Sequence, residues 1–186
     1  MFLNINSLDH RIFEFLFDFS SNSDFIGQLM ITVTNLSSKI FAGIYVLFFI
    51  YLFINKKDKI IPYIIAPATS FALVHIIRLL YVRPRPFVAL EIESLIYHDP
   101  SGSLPSMHAV SAFAIAMAIY LINKKFGAFM LLLAFLTGLS RVMVGVHFPM
   151  DIVIGALISV SINLIIFNLY NHFFGTRKKS SNYFRL

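Results

Sequence analysis

The chain has 186 residues, 58% hydrophobic and 13% charged, with a mean hydropathy of +0.79. Soluble domains average about 45–50% apolar and about 25% charged residues, so this composition excludes an ordinary soluble domain and describes an integral membrane protein, at this length a single bundle. A formal charge of +6 would suggest nucleic acid in a soluble protein, but beside apolar runs basic residues set topology instead, and the absence of cysteine excludes disulfides and thiolate metal sites.

The first 37 residues do not read as a span. Leu8, Ile12, Phe15, Leu16 and Phe19 recur at helical spacing between Asp9, Arg11, Glu14 and Asp18, which predicts an amphipathic helix lying in the membrane interface. Residues 1–18 lack the basic-then-apolar layout and cleavage site of a signal peptide and are expected to be retained. Residues 20–23 break the helix, and Asp24 is expected to cap a short second helix over 25–35.

Five apolar spans follow, at about 20 residues per crossing: 39–54, 60–81 (containing Pro62 and Pro67, which a packed bundle tolerates), 105–122, 126–144, and 149–167 or beyond. The fold class expected is therefore an all-α membrane bundle of about five transmembrane helices plus N-terminal amphipathic or short helices, six helices in the core. It is expected to form one domain over 1–186, with 1–37 as N-terminal helices, 38–173 as the bundle and 174–186 as a basic tail. Placing Lys56, Lys57, Lys59, Lys124, Lys125 and the cluster Arg177, Lys178 and Lys179 in the cytoplasm lets the five spans alternate. The C-terminus is then inside, and residues 1–37, the loop 82–104 and the link 145–148 fall on the outer face.

Three polar clusters share that face. Arg78 and Arg85, with Arg83 and two prolines, end the second span; seven residues separate Arg78 from Arg85, about two helical turns, although Pro84 is expected to stop the helix first. For Arg83 the simpler reading is an interfacial arginine that snorkels to the headgroups. Pro105, Ser106, Met107 and His108 open the third span, where proline suits the first turn and free N–H groups favour an anion. The alternative is a plain Ser/Pro helix start with an incidental histidine.

Ser140 and Arg141 close the fourth span, and His147 and Asp151 open the fifth. An i, i+4 pair shares one helix face, so Asp151 can take a hydrogen bond from one ring nitrogen of His147 and leave the other free, the base–orienter arrangement of nucleophilic catalysis. Alone, this stretch is equally a polar link that fixes helix packing. His108, His147 and Asp151 could ligate a metal, but three arginines beside a cation would repel it. Arginine gives bidentate contacts to phosphate and stabilises charge in phosphoryl transfer. No glycine-rich phosphate loop marks a nucleotide site, and no internal repeat marks a transporter that would use the same arginines.

These residues resemble the three-part signature of the type 2 phosphatidic acid phosphatase superfamily. Arg78 and Arg85-Pro86 match its first part, Pro105-Ser106-Met107-His108 its second, and Ser140-Arg141 with His147 and Asp151 its third, over about residues 78–151. Two positions depart from the pattern: Arg78 stands where the family usually has lysine, and Met107 where it often has glycine. The resemblance implies a metal-independent mechanism without cofactor. His147 would attack phosphorus, Asp151 hold its tautomer, and His108 protonate the leaving oxygen and then activate water. Arg78, Arg85, Ser106, the Met107 N–H and Arg141 would cradle the phosphoryl oxygens.

The short chain, the amphipathic start and the run 83–88 look like bacterial undecaprenyl-diphosphatases of the bacitracin-resistance type. That implies a polyprenyl diphosphate substrate met at the outer face of the bacterial cell membrane, with membrane lipids as surroundings and no nucleic acid or obligate protein partner. Phosphatidylglycerophosphate and lipid A phosphatases of the same superfamily are the rival expectations. His75 reads as a packed helix histidine and His98 as a loop residue within possible reach of a diphosphate's outer group, while His10 and His172 fall off the site.

Overall fold

The computed structural model describes residues 2–174, with side chains from Ser7 onward. Among them the chain forms seven α-helices and no strand. The basic tail with Arg177, Lys178 and Lys179 lies outside the described residues.

Helix α1 (Phe2–Ser21) has three faces rather than two. Leu8, Ile12, Phe15 and Phe19 form an exposed apolar stripe, Arg11, Glu14 and Asp18 an exposed charged one, and Asp9, Phe13 and Ser20 a buried one. Spacings of three, four and seven residues keep each set on its own side. The third face packs on the last helices of the bundle, so α1 is a wall of the protein and not only a helix resting in the interface. The Ser20 hydroxyl donates to the carbonyl of Met143 at 2.5 Å, which anchors the end of α1 there.

After a two-residue break, Ser23 and not Asp24 caps α2, its Oγ accepting from Ile26 N. Helix α2 (Asp24–Asn55) then runs unbroken for 32 residues, so the separate helix expected over 25–35 and the span expected from 39 are one element. Nothing in 35–39 stops a helix: there is no glycine or proline, and Ser37 Oγ bonds back to Thr34 O at 3.2 Å within the helix. At 1.5 Å per residue α2 is about 48 Å long, more than the about 30 Å hydrocarbon core.

A 3-10 turn (Lys57–Lys59) leads to α3 (Ile60–Leu80), followed by the short α4 (Pro86–Ala89), α5 (Met107–Ile122), α6 (Lys124–Met143) and α7 (Pro149–Phe174). Four helices are long and apolar enough to cross a membrane: α2, α3 with its preceding turn, α6 and α7. The remaining expected span, the third in chain order, is α5, with 16 residues, about 24 Å. It is the central helix, packed against α2, α3, α6 and α7, and alanine-rich with buried residues all round, as a helix enclosed by others reads.

The turn into α6 is tight. Asn123 ends α5 and caps α6, its Oδ1 accepting from Phe126 N at 3.1 Å, and a Cβ on Gly127 would fall 2.0 Å from Tyr120 Cα. Lysines gather at this end: Lys124 lies over Tyr120, and across the bundle's lower rim Lys59 Nζ donates to Asn171 Oδ1. The helix ends that carry Ser106, Arg141 and Asp151, and the loop that carries Arg83, meet at the opposite end. Between them lies the apolar core, including Phe41, Tyr63, Ile119, Met130 and Phe167.

Candidate active site

The link from α6 to α7 is a fixed turn. Val144, Gly145 and Val146 donate back to the carbonyls of Ser140, Val142 and Arg141, and the loop residue Leu95 donates to Val144 O. Gly145 has φ +86°, and a Cβ there would also strike the ring of Phe17 from α1, so only glycine suits it. This turn drives His147 inward, where it is 1% exposed.

Asp151 holds the start of α7 and the histidine together. Its Oδ2 accepts from Phe148 N at 2.9 Å and from His147 Nδ1 at 3.3 Å. On the other side of the ring, Arg85 Nη1 lies 3.1 Å from His147 Nε2. A guanidinium only donates, so Nε2 accepts, the proton sits on Nδ1, and the lone pair of Nε2 faces the arginines. The i, i+4 pairing expected from sequence is present, with Nε2 the free nitrogen.

Arg85 stands just before α4 and is 2% exposed. It also donates to Val146 O at 3.0 Å, Ser101 Oγ at 3.2 Å and Gly102 O at 3.3 Å. Arg78, on the last turn of α3, donates to the same Gly102 carbonyl, so the two arginines meet even though α3 stops at Leu80. Arg141 donates through Nη1 to Thr34 Oγ1 of α2 at 2.9 Å. Its Nε and Nη2, and Nε of Arg85, are buried without a hydrogen-bond partner among the described residues. Unmade hydrogen bonds of buried donors cost about 1–3 kcal/mol each, more for a charged group, so these guanidinium N–H groups are chemically suited to an anionic acceptor.

The start of α5 differs in register from the sequence reading. Ser106 is the N-cap, its Oγ accepting from Ala109 N at 3.5 Å, so Pro105 precedes the helix instead of opening its first turn. Ser106 N donates to Asp151 O at 3.1 Å, tying α5 to α7. Met107 and His108 are the first two helical residues, both half-buried, with first-turn N–H groups that have no intrahelical acceptor. His108 lies within electrostatic reach of His147, Arg141 and Arg85. Ser140 faces away, donating to Thr137 O in its own helix at 2.8 Å.

Burial holds His147 well below the usual histidine range, and the charges of Arg85 and Arg141 push the same way. Burial and neighbouring Arg78 lower Arg85 to about 10, still cationic at neutral pH. His98, on the loop between α4 and α5, is lowered by burial first and then by the charge of Arg85.

Three expectations are corrected here. Arg83 does not snorkel outward: its Nη2 donates to Asp9 Oδ2 at 2.6 Å, its Nη1 to Asp151 Oδ1 at 2.9 Å, and its guanidinium lies 4.2 Å over the Phe148 ring. Two carboxylates of the protein, Asp9 and Asp151, pair its charge in the place that headgroup phosphates would take at the interface. His75 is exposed on α3, one residue round from buried Val74, and is not packed inside the bundle. His10 is not remote from the site, because it stacks on Phe148 at 4.8 Å, next to His147. His172 is exposed near the far end of α7.

Sequence reasoning missed Asp9 and Thr34. Asp9 could have been found as the one charge on the α1 stripe of Phe13 and Ser20 instead of the stripe of Arg11, Glu14 and Asp18. Thr34 carried no signal, being a threonine within a long apolar helix.

A helical membrane bundle whose buried histidine is held between a carboxylate and an arginine, with a further arginine short of acceptors, belongs to the membrane-embedded phosphoric-ester hydrolases. The pattern of the PAP2 superfamily matches residues 59–174, and the chain belongs to this superfamily of lipid phosphatases. It is 30% identical over 162 residues to undecaprenyl-diphosphatase BcrC of Bacillus subtilis (strain 168), spanning 86% of this chain and 83% of that protein. The crystal structure of Aquifex aeolicus LpxE superposes with a TM-score of 0.71 at 31% identity, covering 87% of this chain and 95% of the other. A PAP2 type phosphatidylglycerolphosphate phosphatase from Bacillus subtilis superposes with a TM-score of 0.74 over 89% of this chain and 86% of its own; at 20% identity that is a likeness of fold alone.

Proposed function

We propose that the protein hydrolyses undecaprenyl diphosphate to undecaprenyl phosphate and phosphate through a phosphohistidine on His147, without a metal ion. The observation that carries this is the orientation of His147: Nδ1 is bonded to Asp151, and Nε2 presents its lone pair to the guanidinium of Arg85. The name of the Bacillus subtilis relative supports the substrate. So does an apolar groove of about 360 Å³ between α2, α3 and α5, lined by residues such as Phe41, Pro67, Phe71 and Ser111. Ser111 is one turn along α5 from His108, so a prenyl chain lying in this groove would lead its head group to the arginines.

In this reading the terminal phosphate takes the orphan donors of Arg141 and Arg85, with Arg78, the Ser106 hydroxyl and the Met107 N–H completing the cradle. Arg85 turns from Nε2 to a phosphoryl oxygen, and Nε2 attacks phosphorus. The P–O bond to the lipid phosphate breaks, and His108 supplies a proton to the leaving oxygen. Asp151 stabilises the ring charge that develops. His108, now neutral, takes a proton from water, whose oxygen displaces His147 and releases inorganic phosphate. Arginine is suited throughout because the transferred group spreads its charge over three oxygens.

Lysines at one end of the bundle and the site at the other agree with an outward-facing site and a cytoplasmic C-terminus under the positive-inside rule. The test is phosphate release by purified protein in detergent with EDTA, comparing undecaprenyl diphosphate with phosphatidylglycerophosphate and lipid A. Preference for the polyprenyl diphosphate is expected. Activity that appears only with added metal would overturn the mechanism, and preference for either other lipid would overturn the substrate.

A further inference from the structure

Helix α1 reaches the catalytic corner through one side chain. Asp9 is 3% exposed; its Oδ1 accepts from Met150 N at 2.9 Å, and its Oδ2 takes Arg83 Nη2 at 2.6 Å. Arg83 hands its other nitrogen, Nη1, to Asp151 Oδ1 at 2.9 Å, while Asp151 Oδ2 faces His147. The rings beside this chain are interleaved: His10 stacks on Phe148, and Arg83 lies on Phe148 too. A buried aspartate, a bridging arginine and a second buried aspartate thus extend the histidine pair by two residues, the outermost on an N-terminal helix that lies outside the matched family region.

We propose that Asp9 is a positioning residue for the reaction, acting on the His147–Asp151 pair through Arg83. Two functions follow from its two oxygens. Oδ1 fixes the first turn of α7, which carries Asp151. Oδ2 takes up part of the charge of Arg83, so that Asp151 is held in place by a cation without being fully neutralised by it. Without Asp9, the whole charge of Arg83 falls on Asp151 and less of the carboxylate's charge is left for the imidazolium. The inference rests on the reading of His147 and Asp151 as the reacting pair.

Asp151 from α7 and Arg85 from the loop contact His147, and Arg141 from α6, His108 from α5 and His98 from the loop act on it electrostatically. Arg83 and Asp9 act on it from behind Asp151, and opposite substitutions there carry opposite signs. Asp9→Asn removes a negative charge and leaves an acceptor for Met150 N, so it should lower the protonation midpoint of His147 by about half a pH unit. Arg83→Gln removes a positive charge and should raise the midpoint by a similar amount. Asp9→Asn in the Arg83→Gln background should have little effect, because its route is gone. Asp9→Glu should restore the midpoint.

The experiment is NMR titration of isotope-labelled histidine in the full chain in detergent, with and without inorganic phosphate, assigned with His147→Gln. The pH dependence of kcat/KM on undecaprenyl diphosphate is measured beside it. Both single variants should also lower kcat several-fold with KM little changed. Shifts of the same sign in the two single variants, or an Asp9→Asn shift undiminished in the Arg83→Gln background, would overturn the proposal and leave Asp9 as a packing residue. Opposite shifts in a protein that releases no phosphate from lipid would uphold the coupling and remove the phosphatase reading instead. Normal turnover with unmoved midpoints would do the reverse.

Discussion

Arg85 Nη1 stands 3.1 Å from His147 Nε2, so the most buried arginine of the site donates to the nitrogen that we propose attacks phosphorus. The contact selects the Nδ1–H tautomer and guards the lone pair, and in the proposed mechanism it passes to a phosphate oxygen before attack. Arg85 therefore serves both partners in turn. Arg85→Lys, which keeps the charge but loses the planar fork, is expected to lower kcat/KM by about 100-fold. Steady-state kinetics on undecaprenyl diphosphate would show it, and near-normal kcat/KM would mean that the fork geometry is not used.

The buried, depressed His147 also sets a stability slope. Its folded value lies below its unfolded value, so at pH below about 6.5 the unfolded chain binds a proton that the folded chain refuses. Stability should be full above that pH and fall as pH drops below it. Thermal unfolding in detergent should show this loss between about pH 7 and 5, and His147→Gln should flatten it. An equal slope in the variant would place the acid sensitivity elsewhere.

A diphosphate leaves as a phosphate ester, a far weaker base than the alkoxide that leaves a lipid monophosphate, so it needs less help from a general acid. His108→Asn should therefore cost more on a lipid monophosphate than on undecaprenyl diphosphate, by about 10-fold or more. Equal losses on the two substrates would argue that His108 binds phosphate and does not transfer a proton.

Thr34 holds Arg141 from α2, its Oγ1 accepting from Nη1 at 2.9 Å. Thr34→Val keeps the shape and removes the acceptor of a charged hydrogen bond, a loss of about 1.5–3 kcal/mol. It should weaken inhibition by inorganic phosphate about 10-fold or more, with Thr34→Ser restoring it. Unchanged inhibition would mean that Arg141 is placed by the bundle alone.

Much of this site could be read from the chain because its chemistry is local in sequence. The His147–Asp151 pair depends only on helical periodicity, and the convergence of Arg85, Ser106 and Arg141 depends on counting spans. The unbroken α2 could not be read in the same way: residues 35–39 are polar enough to suggest a boundary, yet Ser37 satisfies itself within the helix. Arg83 was misread because its partners are Asp9, on a helix 74 residues away in sequence, and Asp151, 68 residues away. Only the packing of α1 brings the first of these to it. Residue patterns report faces and caps; they do not report which distant face will close over a charge.

The central claim is that His147 carries the phosphoryl group. Its most direct measurement is rapid acid-free quenching of the protein with undecaprenyl diphosphate radiolabelled in the terminal phosphate, followed by peptide mapping. Base-stable, acid-labile label on the peptide containing His147, absent in His147→Gln, is predicted. Phosphate release continuing at the full rate in His147→Gln, or label found on another residue, would contradict it.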